Sequence, residues 1–175
     1  MTTIHSFTTD QRILDNSHKD IRRARTASQS IVPTSTGASK TIGEIIPSLK
    51  GKLEGVAMRI PTPNVSLIEL IFCSKKDLSV EKINSAFKNF SMKQKIKVLE
   101  ITEEKLVSID FNHNPASSIV DASLTNVLRL ITSAGVVPEL GTLSTPKLLS
   151  HLIFQFCFLT LLDSKDILNS VEFKI

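Results

Sequence analysis

Two strand-like segments on either side of a proline break constrain the fold of this chain most. Lys52–Ile60 and Asn64–Ser74 flank the sequence Pro61-Thr62-Pro63. The second segment, NVSLIELIFCS, alternates in a way that is typical of a strand with one buried face and one partly covered face. A sheet is therefore expected at the centre of the fold.

The remaining segments predict more strands and only two helices. Strands are predicted at Thr2–Ile4, Leu106–Phe111 and Ser118–Val127, with a turn at 112–115, and helices at Ser79–Phe90 and after Thr34–Ala38, where Ile42, Ile45 and Ile46 share one side before Pro47. Strands follow one another through turns as often as through helices. The predicted fold is therefore α+β, a largely antiparallel mixed sheet with helices on one face.

Composition excludes some classes of protein. Hydrophobic residues make up 41% of the 175 residues, charged residues 22%, and the net charge is +4, which requires neither nucleic acid nor membrane as partner. The longest apolar stretch, Leu152–Leu162, is too short to span a bilayer. Cys73 and Cys157 lie in apolar surroundings and are expected to be buried free thiols. We expect a cytoplasmic protein.

The segment Phe7–Ser30 has no apolar periodicity and is rich in charge. It predicts a long irregular loop with a helical turn near Asp20–Arg25, and such loops are usually functional. The basic cluster Ile21–Arg25 is short, lacks aromatic neighbours and follows acidic residues. Internal salt bridges or a subunit contact are therefore expected there.

Three positions could carry chemistry, each with a structural alternative. His5 ends the first strand and suits either general acid–base catalysis or a structural role. The hydroxyls and glycine of Thr34–Ala38 could cap the following helix or bind an anion at its N-terminus. Arg59 could bind phosphate or form a surface salt bridge.

Several motifs occur in an order and spacing that are very specific. They read TTIHSFTTDQR, HKDIRRAR, IVPTSTGASKTIG, IPSLKGKLEGVAMRIPTPNVS, TEEKLVSIDFN and SSIVDASLT. Over Met1–Val127 the chain resembles the catalytic domain of the phosphorylating glyceraldehyde-3-phosphate dehydrogenases.

The resemblance implies a site and its chemistry. In this family a cysteine thiolate attacks the aldehyde, NAD or NADP accepts the hydride, and inorganic phosphate cleaves the thioester. By resemblance, His5 is the catalytic base, Thr8, Asp10 and Arg59 bind the phosphate of glyceraldehyde 3-phosphate, and Thr36 and Gly37 bind inorganic phosphate. The loop Phe7–Ser30 would lie against a neighbour's cofactor in a homotetramer. No metal is implied.

The sequence also departs from the family. It has no Gly-rich dinucleotide fingerprint, and the SCTTNC motif that holds the nucleophile would precede Met1. Cys73 and Cys157 lie outside that motif, so neither replaces the nucleophile. The family's WYDNEWGYS segment does not follow Val127. The division expected is a partial catalytic domain at 1–127 and a divergent, apolar tail at 128–175 whose loss of register is typical of a frameshift.

These features predict a fragment of a glycolytic and gluconeogenic dehydrogenase that oxidises an aldehyde phosphate to an acyl phosphate. Without the nucleophile and the Rossmann domain, this chain alone is expected to be inactive, to bind no cofactor and to bind only anions weakly. Two alternatives remain open at this point. They are a fragment of an erythrose-4-phosphate dehydrogenase, and a decayed, non-enzymatic remnant or binding module.

Overall fold

A computed structural model describes residues 1–74 and 77–128, except for the side chains of 38–40, 73 and 74. It also describes the backbone, but not the side chains, of 131–132, 135–136 and 139–145. The strands are β1 (Thr2–Ser6), β2 (Val32–Ser35), β3 (Val56–Ile60), β4 (Leu67–Ser74), β5 (Leu99–Thr102), β6 (Ser118–Asp121), β7 (Asn126–Leu128), β8 (Ile131–Thr132), β9 (Gly135–Val136) and β10 (Glu139–Thr145). The helices are α1 (Ala38–Ile45) and α2 (Val80–Lys93), with short 3₁₀ helices at Pro47–Leu49, Ser108–Phe111 and Ala122–Leu124.

The main sheet has the strand order β2-β3-β1-β4-β10-β7. Among these described strands, β1 and β3 run parallel, and the other neighbouring pairs are antiparallel. The pairs β5–β6 and β8–β9 form two small separate sheets. The predicted α+β fold with a largely antiparallel mixed sheet is confirmed.

Helix α2 packs its apolar side against one face of the main sheet. Ile83 and Phe87 of α2 lie in one buried cluster with Leu70 of β4, and Leu99 and Val120 complete it. Ser79 caps the helix, because its side chain accepts a hydrogen bond from the Lys82 backbone N–H. The helix predicted at Ser79–Phe90 is confirmed and continues to Lys93.

Two strands are shorter than predicted because the backbone turns before each of them. Gly51 has a φ of 74° and lies in the turn that precedes β3, which begins at Val56 rather than Lys52. Val65 has a φ of 67°, so β4 begins at Leu67 rather than Asn64. Ile42 of helix α1 and Ile46, the C-cap residue that follows it, lie in the core, but Ile45, predicted on the same side, is exposed.

Two strand predictions are corrected by local hydrogen bonds. Leu106–Phe111 contains a 3₁₀ helix instead of a strand, because the Asp110 carboxylate accepts from the Val107 N–H at 2.8 Å and bends the chain. The strand predicted at Ser118–Val127 is interrupted after Asp121, whose carboxylate accepts from the Ser123 N–H at 2.9 Å.

Part of the predicted tail contributes to the main sheet. Strand β10, at Glu139–Thr145, pairs with β4 on one side and with β7 on the other. The apolar segment Leu152–Leu162 and Cys157 lie outside the described residues, as does the side chain of Cys73. None of the helices that the structure describes is long and apolar enough to cross a membrane.

Candidate active site

His5 lies near the end of β1, in the interior of the fold. Its side chain is 4% exposed, and its Nδ1 lies 2.8 Å from the Oγ of Ser66, which is also buried. Thr3 is buried on the same face of β1 because side chains alternate along a strand. This hydrogen bond to a buried hydroxyl fixes the orientation of the His5 imidazole ring.

Arg59 lies beside His5 on the neighbouring strand. The two residues are partners in the register of β1 and β3, and Arg59 Nη1 donates to the Ser6 carbonyl oxygen at 2.9 Å. Its buried Nε has no hydrogen-bond partner, and Arg59 forms no ion pair with any described carboxylate. Within the described residues, the alternative of a surface salt bridge is therefore wrong.

Burial also affects the charge of Arg59. Desolvation lowers the pKa of the Arg59 guanidinium, the charge of Arg23 lowers it further, and Asp10 opposes both effects. An arginine side chain remains protonated at neutral pH even after a moderate decrease in its pKa. Arg59 is thus a partly desolvated cation with unused donor capacity, which favours binding of an anion.

Arg23 connects the loop to the edge of the sheet. It is ion-paired with Asp10 and donates from Nη2 to Thr34 Oγ1 of β2 at 2.5 Å. A second acid, Asp20, lies 3.5 Å from Arg23 Nε. Farther along the loop, Arg25 and Asp15 form an ion pair at 3.2 Å. The internal salt bridges predicted for the basic cluster are confirmed.

Asp10 is exposed but held by basic neighbours. His18 Nε2 lies 3.6 Å from Asp10 Oδ1, on the carboxylate that Arg23 also binds. Desolvation opposes ionisation of Asp10, but the charge and hydrogen bond of Arg23, together with His18, lower the pKa of the carboxyl. Asp10 therefore stays ionised and positions Arg23.

Thr8 begins the turn that leads to Asp10. Its N–H and Oγ1 both donate to the Oε1 of Gln11, at 3.0 and 3.1 Å. The Gln11 N–H donates back to the Thr8 carbonyl oxygen, and the Gln11 side chain is buried. These reciprocal bonds fix the first turn after β1. The structure describes the whole loop Phe7–Ser30, which forms no strand or α-helix, as predicted.

Thr36 and Gly37 connect β2 to α1. Gly37 is the N-cap residue of α1, as the capping interpretation of this segment allows, and it has no side chain with which to cap the helix. A Cβ atom added to Gly37 would have no atom within 4 Å, which leaves open space in front of the helix. Thr36 is half-buried and already has an internal contact.

Some of the predicted site residues are direct neighbours in the structure, and others are connected only through Arg23. His5 and Arg59 are adjacent, and Arg23 joins Asp10 to Thr34, which lies two residues before Thr36. Sequence reasoning missed Ser66 and Gln11 as partners of the site. Only the pairing of β1 with β4 reveals Ser66, because the two residues are 61 positions apart in the chain. Among the described residues, no cluster of three or more His, Cys, Asp or Glu could hold a metal.

The sequence of this domain matches a known family over most of its length. A sequence model described as "Glyceraldehyde 3-phosphate dehydrogenase, C-terminal domain" matches residues 1–137. The chain belongs to this family. The resemblance found in the sequence is thereby confirmed, and the match identifies a domain of an oxidoreductase family.

Curated relatives agree with this membership of the glyceraldehyde-3-phosphate dehydrogenase family. The chain is 48% identical over 128 residues to glyceraldehyde-3-phosphate dehydrogenase 2 of Staphylococcus aureus, which covers 73% of this chain and 37% of that protein. The same identity over 128 residues is found with glyceraldehyde-3-phosphate dehydrogenase 2 of Bacillus subtilis, of which 38% is covered. The chain thus spans less than two fifths of these relatives.

Proposed function

We propose that this chain supplies the general base and two phosphate-binding sites of a phosphorylating, NAD-dependent glyceraldehyde-3-phosphate dehydrogenase. The observation that carries the proposal is the pairing of buried His5 with Arg59, whose Nε is buried and unpaired. A base beside a phosphate-binding cation suits a substrate that carries an aldehyde at one end and a phosphate at the other.

His5 is the proton acceptor in this proposal. Its task is to take the proton of a cysteine thiol, which converts the thiol into the nucleophilic thiolate, and to stabilise the oxygen of the hemithioacetal. The 175 residues do not include the SCTTNC motif that would supply this cysteine. We therefore expect the chain alone to be inactive as a dehydrogenase.

Arg59 binds the substrate's phosphate in this proposal, with Thr8 and Asp10 at the same site. Because Asp10 is itself an anion, its contribution is indirect: it holds Arg23 close enough to Arg59 to add positive charge. Charge-assisted hydrogen bonds from a guanidinium to phosphate are roughly twice as strong as bonds between neutral groups.

Thr36 and Gly37 bind the attacking inorganic phosphate in this proposal. They lie at the N-terminus of α1, where backbone N–H groups and the helix dipole favour an anion. The open space beside Gly37 gives an anion access to the backbone.

NAD or NADP is the oxidant of the complete enzyme in this proposal, but the described residues do not fit a dinucleotide. Dinucleotides bind at the carboxyl ends of parallel strands, next to a Gly-rich turn that opens a helix. The described main sheet is largely antiparallel, and the sequence has no such turn. We therefore assign no cofactor site of its own to this chain. A homotetramer, in which the loop Phe7–Ser30 lies against a neighbouring subunit's cofactor, remains part of the proposal.

The function is tested in a chimaera. Residues 1–128 of this chain replace the matching segment of glyceraldehyde-3-phosphate dehydrogenase 2 of Bacillus subtilis, and NAD reduction is measured with glyceraldehyde 3-phosphate. We expect phosphate-dependent turnover, with a loss of about 10²–10⁴-fold for His5→Ala. Turnover that needs no phosphate and prefers erythrose 4-phosphate would favour the other dehydrogenase. A folded chimaera without turnover, or one indifferent to His5→Ala, would contradict the proposal.

A further inference from the structure

We propose that Ser66 is a positioning residue for His5, held in place by the strained turn at Val65. This inference rests on the proposed role of His5 as the base. Ser66 acts only through the imidazole ring, since its hydroxyl lies on Nδ1. The other ring nitrogen, Nε2, is then the atom that receives the proton of the reacting thiol.

The pairing of β1 with β4 explains how Ser66 reaches His5. The described ladder ends where Ile4 faces Leu67. One step beyond this pair in an antiparallel register, His5 faces Ser66, and their side chains lie on the same face. The Nδ1–Oγ distance of 2.8 Å shows that the two groups form a hydrogen bond there.

The backbone before Ser66 has an unusual conformation. Val65 has a φ of 67°, which β-branched residues rarely adopt. The Val65 side chain is buried against Phe111, Ala116 and Ile119. Such a conformation persists only where the surroundings impose it, and this apolar cluster is one source of that constraint.

The hydrogen bonds of two asparagines supply the rest of the constraint on the Val65 backbone. The Asn64 Oδ1 accepts from the Val65 N–H at 2.8 Å, and the Asn64 Nδ2 donates to the Oδ1 of Asn112. The strained turn is therefore anchored both by hydrogen bonds and by apolar packing. Because Ser66 follows it directly, the turn fixes where the serine hydroxyl lies.

A hydroxyl is well suited to this role because it can accept a hydrogen bond without carrying a charge. Because Nε2 must be unprotonated to take the thiol proton, the neutral ring carries its hydrogen on Nδ1, and Ser66 accepts from Nδ1–H both before and after the ring is charged. A carboxylate at the same place would favour the charged ring and raise the pKa of His5. Serine therefore orients the ring through both protonation states without adding a charge.

The experiment follows His5 in the full chain by ¹⁵N NMR, which reports the tautomer and the pKa of the ring without any need for turnover. Ser66→Ala should change the tautomer populations, and Ser66→Thr should restore them. Ser66→Asp should raise the pKa of His5 by about one unit or more. Ser85→Ala, on the exposed side of α2, is the matched control and should leave the His5 signals unchanged.

A second variant tests the turn itself. Val65→Gly tolerates the positive φ but removes the buried side chain that anchors it, so the tautomer signals should move toward those of Ser66→Ala. Unchanged His5 signals in folded Ser66→Ala would overturn the role of Ser66. Unchanged signals in Val65→Gly would overturn the role of the turn. Because these readouts need no turnover, they fail independently of the chimaera.

Discussion

His5 and Arg59 are paired in the register of two adjacent parallel strands, β1 and β3, so their side chains leave the same face of the sheet. Neighbouring strands lie about 4.8 Å apart, which sets the spacing of the two residues without any help from a loop. The ladder thus fixes the distance between an imidazole and a guanidinium. By contrast, Asp10 and Arg23 belong to a loop and depend on each other for position.

The first prediction concerns Arg59. We expect phosphate or sulfate to bind with a Kd on the order of 1 mM, or about 4 kcal/mol, in an NMR titration of the full chain. Arg59→Ala should weaken binding by about tenfold, because a charge-assisted hydrogen bond contributes more than 1 kcal/mol. Arg22→Ala removes the same charge from an exposed side chain and serves as the control. Equal weakening by both variants would indicate a general effect of charge.

The second prediction concerns the N-terminus of α1. Thr36→Val keeps the shape of the side chain but removes its hydroxyl, so the anion-induced NMR shifts near Gly37 should decrease. The shifts near Arg59 should remain, because the two sites use different residues. If wild type, Thr36→Val and Arg59→Ala all respond identically to phosphate, neither site is formed, and the interpretation as a non-enzymatic remnant gains support.

The third prediction concerns acid and the loop Phe7–Ser30. Hydrogen bonds from the Thr26 side chain and N–H, with Arg25 beside them, lower the pKa of Asp15 in spite of an opposing effect of desolvation. Its folded pKa lies below the unfolded value of about 3.9, so the unfolded state binds more protons in this range. The stabilisation that ionised Asp15 gives the folded loop is complete at pH values above the unfolded pKa, and it is lost as the pH falls through the folded pKa.

The measurement is hydrogen exchange of the Thr26 amide, which donates to Asp15 Oδ1 at 2.8 Å. Once exchange is corrected for its intrinsic dependence on pH, protection should decrease below about pH 4 in the wild type. Asp15→Asn should show low protection throughout and no such decrease, whereas Asp77→Asn, at another exposed acid, should behave as wild type. A pH-independent protection factor in the wild type would contradict the prediction.

The fourth prediction concerns the core beneath α2. Phe87 is 4% exposed and packs with Leu70 and Leu99, so Phe87→Ala should lower the free energy of unfolding by about 3–5 kcal/mol. Phe90→Ala makes the same chemical change in the same helix, but Phe90 is only partly buried and should cost less. Urea denaturation measures both. Equal costs would show that Phe87 is not at the centre of the packing.

The sequence predicted best what depends on neighbours along the chain. Helix α2 follows from the Ser79 cap and a periodic apolar stripe, both local signals. The strand predicted at Leu106–Phe111 failed because a single hydrogen bond, donated by the Val107 N–H to the Asp110 carboxylate, outweighs the apolar alternation. The residues of the site were identified through motifs.

What the sequence could not supply was contact across the sheet. The bond between His5 and Ser66 depends on a register that is set by whole strands, and the pairing of β10 with β4 joins a family-like segment to the predicted tail. Neither has a local signature. The boundary between a partial catalytic domain at 1–127 and a tail at 128–175 therefore stays a prediction.

The last prediction tests that division with two truncations. The sequence predicts that the apolar segment Leu152–Leu162 docks poorly and promotes association, so removing it should improve solubility. A chain ending at residue 145 lacks this segment but keeps β10, whereas a chain ending at 128 lacks both. Because both truncations remove Leu152–Leu162, they differ only by residues 129–145, which contain β10 and the small β8–β9 sheet. Strand β10 pairs with β4 from Ile68 to Ser74, and its loss would leave β4 at an edge and β7 unpaired.

We expect the chain ending at 128 to have the lower melting temperature in thermal unfolding followed by circular dichroism. The difference should be about 4 °C or more for each 1 kcal/mol of stability lost. Equal melting temperatures would show that β10 contributes nothing and would support a boundary at 127. If instead the chain ending at 145 is less soluble than the full chain, residues beyond 145 belong to the core.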